Sequence, residues 1–219
     1  MVSSHPPVAV ALVPFAPVLG DVAANAAAII NLLQQEKKNG TDLVVFPELS
    51  LSGYFVRDLY QQPAFLAAQE QALQTIVAAS RDLPACLLGV ARLATAQQPP
   101  ATTLTPQTNN RTPLSERSTV QDPILTSAKR PLFGLTNSLV LIDKGAIVAQ
   151  RDKYNLPNYD VFDEARYFTP ADSTSDDFGR PIYWRGINWG AMICEDLWQT
   201  TVPALLARGG DKRDHKKDI

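Results

Sequence analysis

Cysteine and histidine are both scarce in this sequence, with two of each among 219 residues. Cys86 and Cys194 are too few for a disulfide scaffold. A chain this long buries roughly 70% of its unfolded surface without such a staple. His5 and His215 lie near opposite ends of the chain, so neither a Cys–His catalytic pair nor a zinc site has support, and no metal is expected. No sign of charge dominates: 20 Lys and Arg against 22 Asp and Glu give a net charge of -2. That balance offers no footprint for nucleic acid or for an anionic membrane surface. The apolar runs fall far short of the roughly 20 residues that a membrane helix needs. The start, MVSSHPP, has neither the basic residues nor the apolar run of a signal peptide. A GxxxxGK[ST] phosphate loop is also missing. What is present, 45% apolar and 19% charged residues, is the composition of a folded domain. The expectation is a soluble, cytoplasmic α/β protein.

The order of elements supports that class. Val8 to Val13 is a short apolar run closed by Pro14, which suits a buried strand. Asp21 is placed to cap a helix whose apolar residues Ala23, Ala26, Ala27, Ile30 and Leu33 keep helical spacing, with Lys37 and Lys38 in the last turn and Gly40 as the stop. Leu43 to Phe46 reads as a second strand, Pro63 to about Ser80 as a second helix, and Cys86 to Val90 as a third strand. Strand, helix, strand, helix, strand with short connections implies a layered α/β fold. Thr95 to Pro131 lacks aromatics and is rich in Pro, Thr, Gln, Ser and Asn, which is the composition of a loop insertion. Ser138–Ile142 and Ala146–Ala149 around Asp143-Lys144-Gly145 read as a hairpin. Ile187 to Ile193 is expected to be one strand that delivers Cys194 at its end, and a helix begins near Pro203. Residues 211–219, DKRDHKKDI, read as a charged tail.

Three reactive side chains follow strands: Glu48, Lys153 and Cys194. Each alone has an ordinary structural reading, as a loop carboxylate, a surface lysine and a buried thiol. Beyond the carboxyl ends of parallel strands, however, functional groups tend to gather. A thiol near its ordinary pKa of about 8.5 needs a base to become nucleophilic at neutral pH. A carboxylate can take that proton and return it to a leaving amine, and an ammonium can stabilise the oxyanion between the two steps. Cys86, inside an apolar strand, reads as a core residue, and Trp184, Trp189 and Trp198 as packing residues.

Three blocks, LVVFPELSLSGY (Leu43 to Tyr54), KYNLPNYDVFDE (Lys153 to Glu164) and ICEDLW (Ile193 to Trp198), resemble those of the carbon–nitrogen hydrolase (nitrilase) superfamily. Within it they are most similar to the glutaminase domain of glutamine-dependent NAD synthetases. The resemblance runs from about Val8 to Gly210 apart from Thr95 to Pro131, so residues 1–210 are expected to form one such domain. It implies a four-layer α-β-β-α sandwich, incomplete at the C-terminus.

The resemblance also implies roles. Cys194 matches the nucleophile that attacks the side-chain amide of glutamine. Glu48 matches the general base, and Lys153 the cation at the oxyanion, assisted by the backbone N–H of Glu195. Glu164 matches a second glutamate that holds the lysine. Tyr54 and Tyr159 match tyrosines of the pocket, and the side chain of Glu195 the acceptor of the substrate's α-ammonium group. The family further implies glutamine as substrate, a partner synthetase domain to which ATP and magnesium would belong, and a homo-oligomer. After Gly209-Gly210 the sequence departs from the family, whose closing strands, helix and synthetase domain are expected to follow there. Two other readings stay open: a stand-alone nitrilase or amidase acting on another amide, and an inactive remnant that serves as an interaction module.

Overall fold

The computed structural model describes residues 6–93 and 134–209. The proposed insertion at 95–131 and the charged tail at 211–219 lie outside the described residues.

Among the described residues, seven strands and three α-helices follow in the order β1 (Val10–Leu12), α1 (Val22–Lys38), β2 (Leu43–Val45), α2 (Pro63–Ala79), β3 (Ala85–Leu93), β4 (Leu135–Asp143), β5 (Ala146–Asp152), β6 (Ile182–Trp184), β7 (Ile187–Trp189) and α3 (Thr201–Gly209). The expected α/β class holds. Asp21 caps α1, its carboxylate accepting the N–H of Ala24 at 3.0 Å, and Pro63 opens α2 where its missing N–H costs nothing. β1 to β5 form one sheet in sequence order. β1, β2 and β3 are parallel, whereas β4 runs antiparallel to both β3 and β5. β5 therefore runs the same way as β2, and the chain leaves both strands at the same edge of the sheet.

Side chains alternate across the sheet as the period of two requires. Val44, Cys86, Leu88, Val90, Val140 and Ile142 face α1 and α2 and form the main core with Ile29, Leu33, Leu73 and Ile76. Leu43, Ala85 and Leu141 face the other way and pack on Ile182 and Trp184 of a second, two-stranded sheet made of β6 and β7. Both hairpins turn on two residues with positive φ, Lys144-Gly145 and Arg185-Gly186, the geometry whose twist matches that of paired strands. A third cluster, rich in aromatics, sits at the carboxyl edge: Leu49, Val56, Tyr60, Tyr167 and Phe168, with Phe55 packed against it.

Three expectations need correction. β1 is not buried, because it is the edge strand of the sheet and exposes Val10 and Leu12. The strand expected over Ile187–Ile193 stops at Trp189, because β6 supplies partners for only Ile187, Asn188 and Trp189. Cys194 is thus reached by a short extended run rather than by a strand end. Trp198 is not a packing residue: it is 77% exposed, whereas Trp184 is buried and donates its indole N–H to Asp143 Oδ2 at 3.1 Å.

Candidate active site

Glu48 sits on the loop that leaves β2 at Pro47. This loop lies directly on β3, where Gly89 makes the approach possible. A Cβ at Gly89 would come within 2.6 Å of the Pro47 carbonyl oxygen and 2.8 Å of the Glu48 carbonyl carbon, and closer still to the Leu49 nitrogen. Only glycine leaves that space. The loop is pinned further along by Asn25, whose buried amide donates to the carbonyls of Val18 and Leu51.

Lys153 follows β5 directly. Its backbone N–H donates to the carbonyl of Asn137 on β4 at 2.8 Å, which turns the side chain into the protein with no exposed surface. The ammonium donates to Glu48 Oε1 at 2.7 Å and to Glu164 Oε1 at 2.8 Å. Glu164 opens a short 3-10 turn and is equally buried; it also accepts the Tyr54 hydroxyl at 2.9 Å. Its other oxygen, Oε2, has no hydrogen-bond partner among the described residues.

Cys194 begins a 3-10 turn with φ of 42°, a left-handed conformation that L side chains adopt at a cost and that holds the thiol exposed at the tip of a tight turn. The turn is tied down by Asp196, a buried carboxylate that accepts the backbone N–H groups of Asn155 (2.8 Å), Tyr154 (3.2 Å) and Ile193 (3.4 Å). Cys194 and Glu48 both line a cavity of about 340 Å³ under the run Gly190–Ile193. At the rim, the Tyr159 hydroxyl donates to Glu195 Oε2 at 2.9 Å.

The electrostatics follow from burial and from the two carboxylates. Partial burial and the Glu48 carboxylate raise the Cys194 thiol above its ordinary value, with Lys153 opposing them. Burial alone would lower the Lys153 ammonium; Glu48 and Glu164 outweigh it and hold the group above its ordinary value. Burial raises the Glu164 carboxyl, and Lys153 only partly offsets it. Tyr54 is raised well above an ordinary phenol by burial and by Glu164. Cys86 is fully buried and pushed up to about 12 by desolvation, which leaves it chemically inert at neutral pH. A thiol, a carboxylate within reach of it and an ammonium fixed between two carboxylates can together carry out acyl transfer. Among the described residues, no group of three or more His, Cys, Asp or Glu could hold a metal ion, and no helix is long and apolar enough to cross a membrane.

All seven residues singled out in the sequence therefore lie at one edge of the sheet. Glu48, Lys153, Glu164, Tyr54 and Cys194 form the centre, with Tyr159 and Glu195 at the rim. Three others were missed. Asn137, fully buried, donates its amide to Glu48 Oε1 at 2.7 Å. Its signal was available as the polar triplet Thr136-Asn137-Ser138 opening an otherwise apolar strand. Asp196 and Gly89 carried no such signal, since their partners come from distant parts of the chain.

The carbon–nitrogen hydrolase family model matches residues 9–212. The chain is 34% identical over 189 residues to the glutamine-dependent NAD(+) synthetase of Synechocystis sp., an alignment covering 86% of this chain and 28% of that protein. It is 33% identical over 194 residues to the protein of the same name from Xylella fastidiosa, with 88% and 28% covered. This chain thus spans about 28% of the length of these curated relatives. Among solved structures, the glutamine-dependent NAD+ synthetase of Acinetobacter baumannii superposes with a TM-score of 0.65 at 26% identity, covering 89% of this chain and 29% of that one. An amidase from Nesterenkonia sp. AN1 superposes with a TM-score of 0.63 at 16% identity, over 96% of this chain and 63% of that one, a likeness of fold.

Proposed function

The chain belongs to the carbon–nitrogen hydrolase family, and from that premise we propose that it is the glutaminase part of a glutamine-dependent NAD synthetase. Residues 1–210 are read as one hydrolase domain. The observation that carries the reading is one cavity lined by both Cys194 and Glu48, the carboxylate that also holds a buried lysine, in a chain whose curated relatives are named for glutamine-dependent NAD synthesis.

In the proposed reaction Glu48 takes the proton from the Cys194 Sγ as sulfur attacks the side-chain amide carbon of glutamine. Negative charge develops on the former carbonyl oxygen. An ammonium carries three N–H donors, of which Lys153 directs two at Glu48 and Glu164, so a third can meet that oxyanion together with the backbone N–H of Glu195. Glu48 then protonates the departing nitrogen, the C–N bond breaks and ammonia leaves a thioester. Water, deprotonated by Glu48, attacks the thioester and releases glutamate with the thiol restored. Glu164 fixes the lysine and Tyr54 lines the pocket. Tyr159 orients Glu195 toward the substrate's α-ammonium group. The ammonia would serve the amidation of deamido-NAD, with ATP and magnesium acting in a synthetase domain.

Two measurements test this reading. A diazoketone analogue of glutamine is expected to add to Cys194 alone, with protection by glutamine and none by asparagine. Ammonia release from glutamine is expected to vanish in Cys194→Ala. Release that survives this substitution, or labelling that glutamine does not slow, overturns the proposal.

A further inference from the structure

Glu48 is asymmetrically held. Its Oε1 receives two donors, the Lys153 ammonium and the Asn137 amide, each at 2.7 Å. A carboxylate oxygen has two lone-pair directions, so these two donors saturate it. The orientation of the Asn137 amide follows from chemistry, because a flipped amide would set its oxygen against the carboxylate. Asn137 is fully buried on β4, at the position paired with Ala91, and its backbone carbonyl accepts the N–H of Lys153 at 2.8 Å. One residue thus touches both the carboxylate and the segment that carries the ammonium, while facing neither the cavity nor the thiol.

We propose that Asn137 is a positioning residue for proton transfer: it occupies Oε1 of Glu48 so that Oε2 is the oxygen presented to the Cys194 thiol. The inference rests on the reading of Glu48 as base and Cys194 as nucleophile. Lys153 alone could not hold the carboxylate this way, since its ammonium is a rotatable point donor shared with Glu164. The planar amide supplies a second, directional hydrogen bond that removes the remaining rotation of the carboxylate. It also draws charge toward Oε1, moderating the field that Glu48 exerts on the thiol.

The test uses a reaction that needs no substrate: the pH dependence of alkylation of Cys194 by iodoacetamide, read by mass spectrometry. Glu48→Gln removes the carboxylate and is expected to move the alkylation limb to lower pH by about one unit. Asn137→Ala is expected to move it the other way, to higher pH, by about half a unit to one unit, because charge withdrawn toward Oε1 returns to the oxygen that faces the thiol. In a Glu48→Gln background, Asn137→Ala is expected to shift nothing, since the group through which it acts is gone.

A limb that Asn137→Ala leaves in place while Glu48→Gln moves it overturns the inference, as does a shift that persists unchanged in the double variant. A limb that Glu48→Gln does not move overturns the underlying reading of the site, and the inference with it. A measurement on the wild-type chain needs no change at position 137 and decides the matter if those variants do not fold. The side-chain amide signals of Asn137 in a nitrogen–proton correlation spectrum are expected to shift as Glu48 is protonated with acid, and to lose that response in Glu48→Gln. Signals that behave alike in both proteins overturn the inference.

Discussion

The carboxylate of Asp196 accepts the backbone N–H of Asn155 at 2.8 Å, joining the turn that carries Cys194 to the segment that carries Lys153. The two segments lie 41 residues apart in sequence and share no strand pairing. Asp196→Ala leaves three backbone N–H groups without their acceptor, that of Ile193 buried and those of Tyr154 and Asn155 partly so, and a fully buried unsatisfied donor costs about 1–3 kcal/mol. The expected loss, read by urea unfolding, is at least about 2 kcal/mol. Asp196→Asn keeps one acceptor oxygen and should lose less. Equal stability of the wild type and the alanine variant would show that the clamp contributes nothing.

Lys153→Met leaves Glu48 and Glu164 facing each other without their cation. Breaking a buried ion pair by removing one partner costs about 3–5 kcal/mol. The pH dependence carries a sign. Glu164 already titrates above its ordinary 4.5 in the folded chain because of burial, and losing Lys153 raises it further. Between the unfolded and folded values the native state binds a proton that the unfolded state does not, so stability rises as pH falls through the folded value. Lys153→Met should therefore regain more stability than wild type as pH falls from neutral toward 4.5. In wild type the raised lysine works the other way: its contribution is complete below 10.5 and is lost as pH rises through the folded value. Parallel acid profiles for the two proteins would refute the coupling.

Of the two thiols, Cys194 alone should react with iodoacetamide at neutral pH in the folded chain. Cys86 is fully buried and pushed up to about 12. Mapping of the modified peptides checks this. Equal labelling of both, before any unfolding, is the outcome that contradicts it.

Gly89→Ala places a methyl group against the backbone of Pro47, Glu48 and Leu49, none of which is the yielding end of a side chain. Overpacking of this kind costs about 1–3 kcal/mol. The loop must move away from β3, and a displacement of about 1 Å at a reacting group can cost about a hundredfold in rate. Urea unfolding and ammonia release are the two readouts. A variant that is stable and fully active would show that the loop has slack.

Tyr159→Phe removes the hydroxyl that Glu195 accepts at the rim. If Glu195 receives the α-ammonium group of glutamine, the variant should raise KM several-fold and leave kcat nearly unchanged, since an exposed hydrogen bond is worth about 1 kcal/mol. A fall in kcat at constant KM would place Tyr159 in the chemical step instead.

What the sequence determined by itself was local. Short apolar runs marked β2, β3 and β4, while Asp21 and Pro63 marked the helix starts, because such runs and caps depend on neighbours a few residues away. The blocks around Glu48, Lys153 and Cys194 were legible for the same reason, each being a short run with its reactive residue inside it. β6 escaped notice although Tyr183-Trp184 and Ile187–Trp189 flank an Arg-Gly turn, and β7 was drawn too long because strand length is set by the partner and not by the run itself. The tertiary structure alone decided what the site residues do to one another. Gly89 makes room for a loop 41 positions away, Asn137 reaches a carboxylate 89 residues upstream, and Glu164, on a 3-10 turn 11 residues further along the chain, shares the ammonium of Lys153. Such contacts depend on sheet register and on the exclusion of water, which are properties of the packed chain that no single stretch of sequence contains.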